Sequence, residues 1–186
     1  KLRRYQELID AYISPEMQKM MPAIAKAGGD MTKVDGDSLF PVLNMLNAKY
    51  FIVPLQANQT VAIENPYVYG NAWFVDKVTY VKNANEELDA LGKLNLRHEA
   101  VADARFQSQL GESKNQDSTS IVKLTAYEPN QLTYDVRSAT GGIVVFSEIF
   151  YPEWTATVDG KPVEIGRVDY VLRALNVDKG HHKVVL

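Results

Sequence analysis

Apolar residues change their spacing along this chain, from a helical repeat near the start to a two-residue alternation towards the end. In KLRRYQELIDAYI, Leu2, Tyr5, Leu8, Ile9 and Tyr12 recur at helical spacing with charges between them. In the following SPEMQKMMPAIAKAGGD, Ser14 suits the cap of a second helix and Pro15 its first turn. Pro22 is expected to end or kink that helix, and Gly28-Gly29 to stop it. DGDSLFPVLNMLNAKYFIVP reads as a short capped helix running into a buried strand near Tyr50–Val53, and TVAIEN and AWFVDKVTYV read as strands. NANEELDALGKL predicts a short helix with Asn85 as its cap and Gly92 as its stop.

Beyond a polar, turn-rich stretch at 110–120, LGESKNQDSTS, the pattern becomes one of strands and turns. VKLTAYE is followed by QLTYDVRSA, where Leu132, Tyr134 and Val136 alternate with Thr133, Asp135 and Arg137 as in a half-buried strand. GGIVVFSEIFY is apolar on both faces and predicts a central strand. WTATV and KPVEI flank Asp159-Gly160, the strongest short hairpin signal in the chain. YVLRALNV and HHKVVL are joined by a turn at 178–180. Six short strands at regular spacing indicate a sandwich. The expected fold class is therefore α+β: an N-terminal mixed α/β subdomain over residues 1–110, and an antiparallel, jelly-roll-like β-sandwich over 111–186, the two packed as one unit.

Composition narrows the classes of function. The 186 residues are 46% hydrophobic, enough for a core without cross-links. A net charge of −3 with both signs interspersed offers no basic stripe for phosphates, so nucleic acid is not expected as a partner. Cysteine is absent, which excludes disulfides, zinc–thiolate sites and thiol nucleophiles together. No apolar run is long enough to span a bilayer. The chain opens on Lys1 and closes inside a strand-like stretch, and both ends read as cut from a longer protein.

No set of catalytic residues stands out. His181 and His182 are neighbours in a strand and point to opposite faces, so they do not share a metal, and His98 is isolated in sequence. The five methionines fall in the first quarter of the chain, where apolar packing is the expected use; the same segment is the candidate surface for an envelope assembly domain. Glu86-Glu87, Asp159 and Asp169 read as solvated charge. Glu148 interrupts the central strand and calls for a cation, supplied by Arg173 or Arg137. Gly-x-Ser-x-Gly and glycine-rich phosphate loops are missing. Asn58-Gln59-Thr60 is formally a glycosylation sequon. Neither a metal nor a cofactor is expected. The aromatic residues Tyr67, Tyr69, Trp73, Phe150, Tyr151, Trp154 and Tyr170 remain; Trp154, Tyr151, Tyr170 and Trp73 are the candidates for stacking on sugar rings.

Four short motifs occur together near the end: Tyr151-Pro152-Glu153-Trp154, Val158-Asp159-Gly160-Lys161, Tyr170-Val171-Leu172-Arg173-Ala174 and Gly180-His181-His182. With RRYQELID, LNMLNAKYFIVP and NPYVYGNAWFV upstream, they resemble the C-terminal extracytoplasmic region of the bacterial YfhO-like membrane proteins. One departure is Glu153, where that family usually has Gly, so the turn before Trp154 is expected not to need positive φ. The resemblance implies a multi-pass membrane parent, similar in plan to GT-C glycosyltransferases that use lipid-linked sugars, associated with adding sugars to cell-envelope polymers. It further implies that catalysis resides in membrane-proximal loops outside these residues. What would remain here is a non-catalytic domain on the periplasmic or outer side, whose partners are the transmembrane part of its own chain and a glycan or lipid-linked sugar. The alternatives are a carbohydrate-binding module and an assembly domain. On this reading Asp159 and Gly160 set a hairpin register, Trp154 and Tyr170 fill the sandwich, and Arg173 satisfies a buried acceptor.

Overall fold

The computed structural model describes residues 3–54, 59–115 and 118–186; Leu2, the sequon residue Asn58 and positions 116–117 of the polar stretch lie outside the described residues. Two compact units divide between Gly70 and Asn71.

In the first unit the two expected helices are one. An α-turn segment, α1 (Arg3–Leu8), passes through a π-helical turn at Ile9–Ile13 directly into α2 (Ser14–Lys26). Ser14 is itself helical and donates its N–H to Ile9 O, so it caps nothing. The reason is Pro15: a proline ring lacks an N–H and crowds the carbonyl four residues back, and a widened turn relieves both. Pro22 likewise sits inside α2, which continues to Lys26 before Gly28 and Gly29, both at positive φ, end it.

Two short helices, α3 (Gly36–Leu39) and α4 (Pro41–Met45), lead to an antiparallel hairpin, β1 (Tyr50–Pro54) with β2 (Thr60–Glu64). Phe51 faces inward and joins Met20, Ile24, Met31, Val34, Phe40 and Leu43 in a core, while Tyr50 and Ile52 face outward. Met45 is buried as well and Met17 is exposed, so most of the methionines pack inside.

Glu16 ties this unit together. Its carboxylate oxygens accept the N–H groups of Val42 and Leu43, the free donors at the start of α4, at 3.0 and 2.9 Å. Burial nevertheless outweighs these bonds and pushes the carboxyl up to about 7.

The second unit is a β-sandwich with a small βαβ element. β3 (Ala72–Val75), β4 (Lys77–Val81), α5 (Ala84–Leu91), β5 (Glu99–Asp103) and α6 (Gln107–Leu110) precede the strands β6 (Ile121–Glu128), β7 (Gln131–Ser138), β8 (Gly142–Ile149), β9 (Ala156–Val158), β10 (Lys161–Val163), β11 (Gly166–Val168), β12 (Leu172–Val177) and β13 (Gly180–Val185). A five-stranded sheet runs β10-β9-β13-β7-β6 and a four-stranded sheet β11-β12-β8-β3, all pairs antiparallel. The inward positions of β7, β8, β12 and β13, among them Leu132, Val136, Val144, Phe146, Leu175 and Val184, form the core between them.

The sequence reading set the change of organisation at residue 110. In the structure β3 is already a sandwich strand, with Trp73 and Phe74 opposite Val145 and Val144. Its four residues are too few to declare a sheet by alternation alone. β11 is a second strand that alternation does not reveal, because it begins at Gly166, where a Cβ would lie 2.6 Å from Leu110 Cδ2. α5 is capped by Asn83 rather than Asn85: the Asn83 side chain accepts from the N–H groups of Asn85 and Glu86. The 178–180 turn carries the chain from one sheet to the other, since β13 pairs with β7 and β9 and not with β12. At the outer edge, β6 is broken by a bulge between Leu124 and Ala126, where Thr125 donates its hydroxyl to Thr133 O.

Raising the Glu16 pKa from 4.5 to about 7 means that the folded form holds the extra proton across that window. Stability is therefore lost as pH rises through it, by on the order of 3 kcal/mol at most. Hydrogen exchange at the Val42 and Leu43 amides is expected to speed up with pH beyond its intrinsic trend in the wild type. Glu16→Gln is expected to flatten that excess, and an unchanged profile in the variant contradicts this role.

Candidate functional site

The four motifs meet in pairs. Tyr151 and Trp154 close a tight turn, with Trp154 N–H donating to Tyr151 O at 3.2 Å. Pro152 favours the second position of such a turn, and Glu153 stays out of the positive-φ region, so a glycine is not needed there. The turn sets the Trp154 ring beneath the guanidinium of Arg173, whose Cζ lies 3.9 Å from the ring centroid. Arg173 also donates from Nε to Ile149 O at 3.0 Å and is only 3% exposed. The first and third motifs thus join through a buried cation on an aromatic face.

The second and fourth motifs join through Asp159. Asp159 and Gly160 both have positive φ, as a two-residue hairpin between β9 and β10 requires. The Asp159 N–H donates to Lys183 O, its Oδ1 accepts from Lys183 N–H, and its Oδ2 bonds His182 Nδ1 at 2.7 Å. The hairpin tip is thereby fastened to β13. The hydrogen bond from Asp159 is the main reason that the His182 imidazole titrates above its ordinary range. His181, on the opposite face, bonds Asp135.

Around Arg173 the sandwich interior turns polar. Tyr134, on the inward face of β7, packs edge-on against Phe146, with ring centroids 4.9 Å apart; its hydroxyl is buried without a hydrogen-bond partner among the described residues, as is Arg173 Nη1. Glu148 is half-buried; burial raises its carboxyl, and the nearby Arg173 charge opposes the rise. Of the two cations proposed for Glu148, Arg137 instead pairs with Asp135 at 3.1 Å.

Two cavities open beside this turn. One, of about 390 Å³, is lined by Asn130, Tyr151, Glu153, Trp154, Thr155 and Leu186. The other, of about 430 Å³, is shared by Tyr151 and Trp154 with Gln109, Pro162 and Glu164. Tyr151 is 47% exposed between them. Of the four aromatic candidates, the structure brings together Tyr151 and Trp154. Trp73 lines a separate cleft, and Tyr170 is buried at positive φ in the β11–β12 turn.

A second buried group is not evident from the sequence. Glu87 and Asp169, expected as solvated charges, are fully buried. Glu87 accepts from Arg167 Nη2 at 3.2 Å, and the Arg167 guanidinium lies 5.0 Å from the Phe106 ring centroid and 5.9 Å from that of Phe150. Asp169 exchanges bonds with Val101, donating its N–H to the carbonyl and accepting the Val101 N–H on Oδ1, which fastens the β11–β12 turn to β5. Burial, with Glu87 nearby, pushes the Asp169 carboxyl up to about 8. The available signal was Arg167 and Asp169 alternating inside an otherwise apolar stretch.

The fold and these contacts define a sandwich whose diagnostic residues close its own strands. A family profile described as bacterial membrane protein YfhO matches residues 90–186, and the chain belongs to that family. No curated protein and no solved structure matches it. Among the described residues no helix is long and apolar enough to cross a membrane.

Replacing Arg173 by Met leaves Ile149 O unpaired and removes the cation from Trp154, at an expected cost on the order of 2 kcal/mol in urea unfolding. A variant as stable as the wild type contradicts the assigned role. For His182 the sign is the same as for Glu16, since both folded values are raised: its pair with Asp159 adds stability below the ordinary histidine range, which is lost as pH rises through the raised folded value. Asp159→Asn is expected to remove that pH dependence from the unfolding midpoint.

Proposed function

We propose that this chain is a non-catalytic extracytoplasmic domain of a multi-pass membrane protein that transfers sugars to cell-envelope polymers, and that the Tyr151–Trp154 surface holds a glycan for that reaction. Family membership supports the membrane-embedded parent. The observation that carries the glycan reading is the exposed Tyr151 ring beside Trp154, between two cavities edged by the amides of Asn130 and Gln109 and the carboxylates of Glu153 and Glu164. Aromatic faces take the C–H side of a sugar ring, and amides and carboxylates take its hydroxyls.

The ionisable groups nearest this surface favour a structural over a catalytic role. Arg173 is held by Trp154 and Ile149 O, and Asp159 by β13. On the GT-C plan the transferring carboxylate belongs to membrane-proximal loops, which leaves this domain to position the acceptor or a lipid-linked donor. A free-standing carbohydrate-binding module would use the same surface; membership in a membrane-protein family favours the first reading.

Tyr151→Ala is the direct test, because an exposed ring can be removed without opening the core. Binding of the chain to envelope glycans, read on a glycan array and by titration, is expected to weaken about tenfold, with the unfolding midpoint unchanged. The full-length parent carrying Tyr151→Ala is expected to transfer less sugar. Sugar transfer by the 186-residue chain alone overturns the non-catalytic assignment. Glycan binding indifferent to Tyr151 overturns the assigned surface.

A further inference from the structure

The stretch Tyr50–Val53 has the apolar character of a strand covered on both faces, and the structure covers only one. Phe51 is 7% exposed, whereas Tyr50 is 59% and Ile52 67% exposed. In the register of the hairpin Phe51 pairs with Ile63 and Val53 with Val61, so all four share the core-facing side. Val61 is nevertheless 38% exposed, because the core ends before the strands do. Towards Pro54 and Thr60 the hairpin thus presents apolar side chains to water on both sides.

Strands that face water at a sheet edge are ordinarily blunted by charge. Here the sequence from Tyr50 to Ile63 contains no Asp, Glu, Lys or Arg, the longest such run in the chain. Lys49 and Glu64 bracket it at the base, and both are exposed. The base is held firmly. Asn65 donates its N–H to Lys49 O at 2.8 Å, and its side-chain amide to Asn44 Oδ1 at 2.9 Å and Ala48 O at 3.1 Å. An uncharged hairpin is therefore held out from a charged collar.

We propose that the β1–β2 hairpin docks on a lipid bilayer, seating Tyr50, Ile52 and Val61 in the interfacial region of one leaflet. Membership in a family of bacterial membrane proteins brings a bilayer within reach of this chain. Apolar side chains on both sides suit a fluid phase that closes around the hairpin; a second copy would cover one side. At ~3.4 Å per residue, the five residues of β1 extend about 14 Å, enough to pass the headgroups but far short of the ~30 Å hydrocarbon core. The open strand edges set the depth, since unpaired N–H and C=O groups are kept out of hydrocarbon and stay in the hydrated interface. Tyr50, with Lys49 beside it, is the kind of pair that settles at headgroup level. A net charge of −3 gives the chain no general attraction to anionic headgroups, so the attachment is apolar and independent of lipid charge.

The chain lacks cysteine, so Ile52→Cys and Ile121→Cys each accept a single environment-sensitive fluorophore. Ile121, 56% exposed in the other unit, is the control. With phosphatidylcholine vesicles the label at 52 is expected to shift to the blue and to be quenched by lipids brominated on the acyl chain. The label at 121 is expected to stay as in water. In flotation of the unlabelled chain, Ile52→Asp is expected to weaken partitioning about tenfold or more, with the thermal midpoint unchanged. Added salt and Tyr151→Ala are expected to leave partitioning as it was. A label at 52 that stays in water, or partitioning indifferent to Ile52→Asp, overturns the proposal. Dimers of the chain that depend on Ile52 overturn it as well, and assign the hairpin to a second copy. The proposal rests on the hairpin and the family rather than on the glycan surface, so failure of glycan binding at Tyr151 removes only the preceding reading.

Discussion

A guanidinium removed from water must find both an acceptor and a polarisable surface, and at Arg173 that requirement organises one end of the molecule. The Ile149 carbonyl is available because β12 shifts register against β8 between Leu172 and Arg173, which frees the carbonyl from the ladder geometry. The aromatic surface comes from Trp154, which the turn at Tyr151–Trp154 delivers. A bulge, a turn and a ring stack are thus one device: losing any of them removes part of what compensates an interior charge, a larger penalty than the loss of a surface pair. The same logic repeats at Arg167, where Glu87 and two phenylalanine rings surround the cation.

Two other buried acids follow the opposite strategy. Glu16 and Asp169 each accept backbone N–H groups, the arrangement that ordinarily favours the ionised form. Both carboxyls nevertheless titrate high, because neither is given a cation in contact and desolvation dominates. Each therefore holds its segment by hydrogen bonds rather than by charge, at α4 in the first unit and at β5 in the second.

The strands with clean alternation or continuous apolar character, β7, β8 and the β9–β10 hairpin, were legible because a period of two and an Asp-Gly turn are local properties. β3 and β11 were not, since four and three residues give alternation too little length to register. The uninterrupted first helix was hidden for a related reason: Pro15 and Ser14 are a start signal in isolation, and only the π-turn before them lets the helix pass through. Burial of charge was the least visible property. Glu87 follows Glu86 in a helix that reads as solvent-exposed, and nothing local marks one of two adjacent glutamates as the partner of an arginine eighty residues later. Asp76 and His98, whose Oδ2 and Nδ1 lie 3.0 Å apart, were equally hidden, since their meeting depends on the parallel pairing of β4 with β5.

The interruption of β6 at Thr125 matters beyond the sheet that contains it. β6 is eight residues long and ends the five-stranded sheet, with Ile121 and Tyr127 turned to solvent. An unbroken edge of that length would template pairing with a neighbouring copy, a hazard that grows where copies are confined to two dimensions. The extra residue at Thr125, with Lys123 beside it, breaks the hydrogen-bonding rhythm that an incoming strand would have to match. A packing irregularity in one strand thus acts as protection against fibrillar stacking.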